Sequence, residues 1–180
     1  MRRSLFALPL VLAALSAACD ESEPATAVLV TVDSDLSPGS QLNKVLVEVR
    51  DSEGNRKSPR QAFTVTEGTP SGTRVRLPFS FGLSRSGDKQ FQLSLVGIDE
   101  DGDPLVSYTV SAEFQDKKTL GLSVFLAKLC LNNSCGDDPE KTCYPRDKGD
   151  VDAGSCGEIP SDSLPTVDPD MDLPDRVDAG

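Results

Sequence analysis

Four cysteines in the last third of this 180-residue chain have the spacing for covalent or metal chemistry. They are Cys130, Cys135, Cys143 and Cys156, and the fifth cysteine, Cys19, lies far from them. In an oxidising compartment four thiols form two disulfides, with three connectivities that the sequence does not separate. Zinc is the alternative, but the intervals of four, seven and twelve residues are not paired knuckles and the chain has no histidine. The pattern therefore favours disulfides.

An acidic stretch at residues 99–103 has the sequence DEDGD. Its alternating carboxylates, Asp99, Asp101 and Asp103, with a glycine for the bend, suit a hard cation such as Ca²⁺. The full calcium-loop pattern is incomplete, because the twelfth position from Asp99 is Val110 instead of glutamate. Asp and Gly also favour tight hairpin turns, so a solvated turn is the simpler interpretation.

Ser86 and Lys89 fit the S-x-x-K spacing of serine acyl-transfer enzymes, in which lysine helps to deprotonate the serine. The partner motifs S-D-N and K-T-G are absent from the chain. Histidine, the most common general acid or base, is also absent. A hydrolase is therefore the least favoured function, and we predict a protein that is not an enzyme and needs no cofactor.

Basic residues concentrate in the middle of a chain whose net charge is −11. They could form a patch for an anionic glycan or lipid headgroup, or simply the solvated face of strands and loops. The acidic chain repels nucleic acid and has no basic stripe interleaved with aromatic residues, which argues against a nucleic-acid partner. The basic residues are Arg56, Lys57, Arg60, Arg74, Arg76, Arg85 and Lys89.

The first nineteen residues have the pattern of an export signal. Arg2 and Arg3 give a positive start, residues 5–15 form an apolar run, and small residues precede Cys19. The run is shorter than the roughly 20 residues that a membrane-spanning helix needs. The ending resembles the lipobox of bacterial lipoproteins, in which the cysteine is diacylated and becomes the new N-terminus after cleavage. A plain signal peptide cleaved at or near Ala18 is the alternative.

Much of the remaining chain has apolar residues at every second position, which is the period of a half-buried strand. Strands are predicted around residues 28–32, 45–49, 61–66, 74–81, 90–95, 106–114 and 120–129. Pro78 cannot donate a ladder hydrogen bond, so the 74–81 strand is predicted at a sheet edge. The last strand is apolar on both sides, which predicts a central strand or one covered on both faces.

These seven strands predict an all-β fold, an immunoglobulin-like Greek-key β-sandwich, with an open barrel as the alternative. The predicted organisation is a signal peptide (1–18), a tether (19–26), the sandwich (27–129), a disulfide-stapled appendix packed on the end of the sandwich (130–156) and a disordered acidic tail (157–180). The tail prediction rests on its prolines, its acidic residues and its lack of aromatic residues.

The lipobox, the sandwich, the cysteine cluster and the acidic tail together resemble predicted lipoproteins of myxobacterial type. The resemblance implies lipidation at Cys19, which accounts for the odd fifth cysteine, and a location in the cell envelope. The anchor would lie on the periplasmic face of the inner or outer membrane, or at the cell surface. We predict a membrane-anchored, non-enzymatic binding or structural module whose further partner is an envelope protein or a glycan. A calcium-dependent adhesion or matrix module and an envelope hydrolase are the alternatives.

Overall fold

The computed structural model describes residues 25–131, 133, 135, 141–145, 154–157 and 164–167. Across these residues ten β-strands and one short 3₁₀ turn form, which confirms the all-β class. The strands are β1 (Ala27–Ser34), β2 (Lys44–Asp51), β3 (Gln61–Val65), β4 (Arg74–Val75), β5 (Phe79–Ser84), β6 (Gln90–Ile98), β7 (Pro104–Glu113), β8 (Thr119–Leu126), β9 (Thr142–Pro145) and β10 (Gly154–Gly157), and the 3₁₀ turn is Lys128–Cys130. The same residues contain no helix long and apolar enough to cross a membrane.

Two sheets pack face to face. One has three strands in the order β5-β1-β8 and the other has five in the order β4-β3-β2-β6-β7. β1 runs antiparallel to β5 and parallel to β8, whereas β2, β6 and β7 are successively antiparallel. β9 and β10 form a separate antiparallel pair.

The core lies between the two sheets because alternate residues of each strand point inward. Val30 on β1 is fully buried beside Leu122 on β8, and Val47 on β2 pairs with the fully buried Leu95 on β6. The Phe91 and Phe114 rings, whose centroids are 4.6 Å apart, pack at one end of this core. The period-two pattern in the sequence therefore identified the buried faces correctly.

The sandwich is confirmed, but the immunoglobulin-like strand order is not. In the constant-type immunoglobulin fold the first strand pairs with the second, and the last strand pairs with the one before it. Here β1 pairs with β5 and β8, and β7 and β8 belong to different sheets. Strand pairing in the described residues stays within each sheet, so the barrel alternative is not supported either.

The single strand predicted over residues 74–81 is wrong. The chain forms β4 in the five-stranded sheet, passes through the cis Leu77-Pro78 peptide and continues as β5 in the three-stranded sheet. Pro78 has no N–H to donate, so a ladder cannot continue through it. The predicted edge position holds for both pieces, since each is the outermost strand of its sheet.

The central position predicted for the last strand is also wrong, because β8 is an edge strand of the three-stranded sheet. Its inward residues are buried as expected, but Phe125 on the other face is 39% exposed. The apolar residues Ala127 and Leu129 lie beyond the end of β8, at the 3₁₀ turn. The apolar run over residues 120–129 therefore contains both β8 and part of the 3₁₀ turn, and the sequence pattern did not show where β8 ends.

C-terminal residues cover the open edges of β7 and β8. On β7, the Thr142 hydroxyl accepts a hydrogen bond from the Thr109 amide and donates one to the Ser107 carbonyl, each at 3.2 Å. On β8, the Gly121 amide donates to the Pro165 carbonyl at 2.8 Å, and the Val167 amide donates to the Thr119 carbonyl at 2.9 Å. Covering an edge in this way prevents it from pairing with another chain.

These contacts involve parts of the predicted appendix and of the predicted tail. Of the described residues of the appendix, Thr142 bonds to the β7 edge, and Cys130 and Cys143 are part of the hydrophobic core itself. Within the predicted tail, residues 164–167 bond to β8, whose edge offers unpaired backbone groups. The rest of the tail prediction, and residues 1–24, lie outside the described residues.

Replacing Gly121 with alanine is expected to detach residues 164–167 from β8. A Cβ atom at Gly121 would lie 2.6 Å from the Val167 Cγ1 atom, so this segment must move and give up its backbone hydrogen bonds. We expect the free energy of unfolding to fall by about 1 kcal/mol. Urea denaturation followed by circular dichroism measures the change.

Gly82→Ala is the matched control, because Gly82 is also a strand glycine but a Cβ atom there has nothing within 4 Å. Its stability should be unchanged or slightly higher, since alanine restricts the unfolded chain. Equal losses in the two variants would show that the contact between Gly121 and Val167 contributes nothing.

Candidate functional site

Glu48 is a carboxylate on the outer face of the five-stranded sheet, yet it is only 6% exposed. The alternation along β2 points Val47 and Val49 into the core, so Glu48 and Arg50 point outward together. An outward carboxylate is normally solvated. Here it is covered by arginine side chains from its own strand and from the connection to β3.

Three guanidinium groups converge on this carboxylate, and we call the four residues the Glu48 cluster. Arg50 Nε donates to Glu48 Oε1 at 2.6 Å. The other oxygen, Oε2, accepts from Arg56 Nη2 at 2.9 Å and from Arg60 Nε and Nη2 at 3.0 and 2.7 Å. One negative charge is therefore surrounded by three positive ones, which leaves the cluster with a net charge of +2.

The turn after β2 brings the distant arginines back over Glu48. The Asp51 carboxylate accepts hydrogen bonds from the Asn55 and Glu53 amides at 2.7 and 3.0 Å. Gly54 supplies the positive φ of +82° that this tight turn requires. Arg50 Nη1 then donates to the Gly54 carbonyl at 3.0 Å, which ties the turn to the cluster.

The arginines keep the Glu48 carboxylate ionised. The hydrogen bond from Arg60 lowers the Glu48 pKa below its ordinary value of 4.5; burial opposes this, and Arg50 and Arg56 lower it further. The arginine side chains are themselves 42 to 51% exposed. The cluster is thus a cationic surface organised by a buried anion.

A polar cleft of about 440 Å³ lies beside this surface. Its walls include Asp51 and Ser52 from the turn, Gln92 on β6 and Ser111 on β7. Arg50, Gln92 and Ser111 are successive partners across the sheet, so one part of the cleft adjoins the cluster on the outer face. The apolar residues Phe91, Leu120 and Leu164 line another part. Guanidinium groups with hydroxyl and amide neighbours are suited to binding oxyanions rather than to bond-breaking chemistry.

The predicted basic residues divide between the two ends of the sandwich. Arg56, Lys57, Arg60, Arg85 and Lys89 lie at one end, where Lys57 pairs with Asp88 at 2.7 Å and both Arg85 and Lys89 pair with Asp116. Arg74 and Arg76 lie at the other end, and Arg76 Nε donates to the Gly68 carbonyl. Glu48 and Arg50 were not predicted as site residues, although their spacing of two in a strand places both on one face.

The predicted calcium ligands form a hairpin turn. Asp99 Oδ1 accepts the Asp103 amide at 2.8 Å, and Gly102 has a φ of +95°. Over the part of the chain that the structure describes, no three acidic, cysteine or histidine side chains are grouped to hold a metal ion. The calcium site of Asp99, Asp101 and Asp103 therefore stays a prediction without geometric support.

The S-x-x-K pair is also not assembled for catalysis. Lys89 Nζ lies 3.2 Å from Asp116 Oδ2, and this contact is the main reason that the Asp116 pKa is lowered. The Lys89 ammonium group is therefore engaged by Asp116, and no described hydrogen bond joins it to Ser86, as a general base for that serine would require. Nothing in this geometry favours a hydrolase.

The four C-terminal cysteines form two disulfides, as predicted, and the structure assigns the connectivity. Cys130 pairs with Cys143, and Cys135 pairs with Cys156. Cys130 and Cys143 are 1% and 3% exposed, whereas Cys156 is exposed. The predicted lipidation site, Cys19, lies outside the described residues.

No protein-family model, curated protein or solved structure matches this chain.

Proposed function

We propose that this protein is a lipid-anchored lipoprotein of the bacterial cell envelope, with a sandwich that acts as a non-enzymatic binding module. The observation that carries the anchoring is the cysteine count. The two disulfides use four of the five cysteines, and the remaining one is Cys19, at the end of the lipobox-like segment. A thiol acylated there has no need of a disulfide partner.

The binding role is supported by the Glu48 cluster. Its arginines are half-exposed, give the cluster a net positive charge and adjoin a cleft whose lining includes the polar side chains of Ser52, Gln92 and Ser111. If the cluster served only to neutralise the buried Glu48 carboxylate, one cation would be enough, whereas three arginines contact it. The excess charge favours contact with an anionic partner in the envelope.

The Cys19→Ala variant tests the anchor and is expected to lose the added acyl mass and to leave the membrane fraction. Diacylation supplies two hydrocarbon chains, which hold a protein stably on a bilayer, whereas the unmodified chain has none. Intact mass spectrometry of the protein from host membranes reports both the first residue and the acyl chains.

Ser22→Ala is the control, since it makes a similarly small change three residues further on and keeps Cys19. It should remain acylated and membrane-bound. A wild-type mass that begins near residue 19 without acyl chains would contradict the proposal and support a secreted protein with a plain signal peptide.

A further inference from the structure

The end of the sandwich at which the tether enters is formed by three loops. Thr26 is the last residue before β1, and its carbonyl accepts the Arg85 amide at 3.4 Å while its hydroxyl accepts the Lys117 amide at 2.9 Å. The 51–60 connection joins them through the Lys57 to Asp88 ion pair. We call this surface, made by residues 26, 48–60, 84–89 and 113–118, the tether end.

The tether end carries more positive than negative charge. The β2–β3 region contributes Arg50, Arg56, Lys57 and Arg60. The other two loops contribute Arg85, Lys89, Lys117 and Lys118. The acidic residues there are Glu48, Asp51, Glu53, Asp88, Glu113 and Asp116, so the tether end has a net charge of +2.

The opposite end of the sandwich is acidic. β1 ends there and the turn between β6 and β7 lies there, because the strands run antiparallel between the two ends. Residues 25–131 place seven acidic and four basic residues at that end, a net charge of −3. They are Asp33, Asp35, Glu67, Asp99, Glu100, Asp101 and Asp103, with Lys44, Arg74, Arg76 and Lys128. The domain is therefore an electrostatic dipole aligned with its tether.

The Glu48 cluster leaves guanidinium donors for an outside partner. Arg56 contacts Glu48 through Nη2, and Arg60 does so through Nε and Nη2. Both side chains are 51% exposed, and the described contacts do not use Arg56 Nε or Nη1 or Arg60 Nη1. Exposed guanidinium N–H groups that are not used in other hydrogen bonds can bind phosphate oxygens with favourable geometry.

We propose that the tether end docks on anionic lipid headgroups, with the phosphate groups bound at the Glu48 cluster and the acidic end facing away from the bilayer. This inference rests on the proposed lipid anchor. Thr26 is seven residues from Cys19, and a chain of that length spans at most about 25 Å. The tether thus holds the sandwich close to the bilayer. Because Asp20, Glu21 and Glu23 make the tether itself acidic, the exposed guanidinium groups of the Glu48 cluster, and not net charge alone, favour headgroup phosphates over a soluble glycan as the partner.

Lysine footprinting of the acylated protein in vesicles tests the docking. The protein is reconstituted in vesicles of phosphatidylglycerol with phosphatidylcholine, or of phosphatidylcholine alone, and lysines are labelled with a soluble amine-reactive ester. We expect Lys57, Lys89, Lys117 and Lys118 to label several-fold more slowly in the anionic vesicles. High salt, near 1 M, should remove the protection, because the Debye length then falls to about 3 Å. Equal labelling in both vesicles would overturn the proposal.

Charge reversals separate the docking surface from general charge effects. Lys117→Glu with Lys118→Glu should abolish the protection of Lys57 and Lys89, since each basic residue near an anionic leaflet changes docking by about fivefold. The control, Lys44→Glu with Lys128→Glu, makes the same charge change at the opposite end. Protection lost equally in both would mean that net charge alone acts, which would overturn the assigned orientation.

Failure of docking and failure of the anchor are distinguishable. Intact mass reports acylation before reconstitution, whereas footprinting reports contact afterwards. If the protein lacks acyl chains, co-sedimentation of the unacylated chain with the two vesicle types tests docking alone. Protection by soluble polygalacturonate without protection by phosphatidylglycerol would overturn the headgroup assignment in favour of a glycan.

Discussion

Replacing Cys130 and Cys143 together with alanine is expected to lower the free energy of unfolding by about 4 kcal/mol. The disulfide closes a loop with a sequence separation of 13, and a loop of that size contributes about 3 kcal/mol in the chain-entropy description. Both sulfurs are also buried in the core, and losing that packing costs about 1 kcal/mol more. Chemical denaturation of the purified variant measures the loss.

The second disulfide provides the matched control. Cys135 and Cys156 close a longer loop, with a sequence separation of 21, but Cys156 is exposed. Their replacement with alanine should cost about 3 kcal/mol, because the unfolded chain regains the entropy of the longer loop while only Cys135 is packed, in part, against the core. A larger loss for this pair than for the buried pair would contradict the conclusion that Cys143 belongs to the core of the sandwich.

Replacing Glu48 with alanine is expected to lower the free energy of unfolding by about 2 kcal/mol. Removing one partner of a buried ion pair costs about 3 to 5 kcal/mol when the other partner stays buried. The three arginines here are about half exposed and regain hydration, which reduces the loss. The exposed Glu67 gives the control, since Glu67→Ala removes the same charge and should change stability by less than about 0.5 kcal/mol.

The Glu48 effect should depend on pH. The Glu48 pKa is lowered in the folded state, so its stabilisation is fully present above the unfolded pKa, near 4.5, and is lost as the pH falls through the folded value. Wild-type and Glu48→Ala unfolding curves should therefore converge below about pH 4.5. A difference that stays constant down to pH 3 or so would show that Glu48 acts by packing and not by charge.

Strand positions followed from the sequence because the inward and outward alternation is a local property. β6 and β7 form where Phe91, Leu93, Val106 and Tyr108 occupy every second position. The same rule failed at Pro78 and after Leu126, where an apolar run crosses from one element to another. Periodicity shows which face is buried, but it contains no information about which strands are neighbours.

The candidate site was only partly predictable. Arg56 and Arg60 were identified as members of a basic group, but their common partner was not. Glu48 alternates with valines as a solvated residue would, and only the folded turn at Asp51 places Arg56 and Arg60 over it. Whether a charged side chain is buried depends on residues from other segments that pack over it, so the alternation within one strand does not predict it.

The sequence by itself determined the all-β class, the positions of most strands, the pairing of four cysteines among themselves and the prediction of an acylated Cys19. These conclusions depend on residue type and short spacing. Only the tertiary structure decided the strand order, the disulfide connectivity, the pairing of residues 164–167 with β8 and the convergence of three arginines on Glu48. Each of these depends on contacts between segments that lie apart in the chain and meet only when it folds, and the free energy of such contacts is set by three-dimensional burial and not by neighbours in sequence.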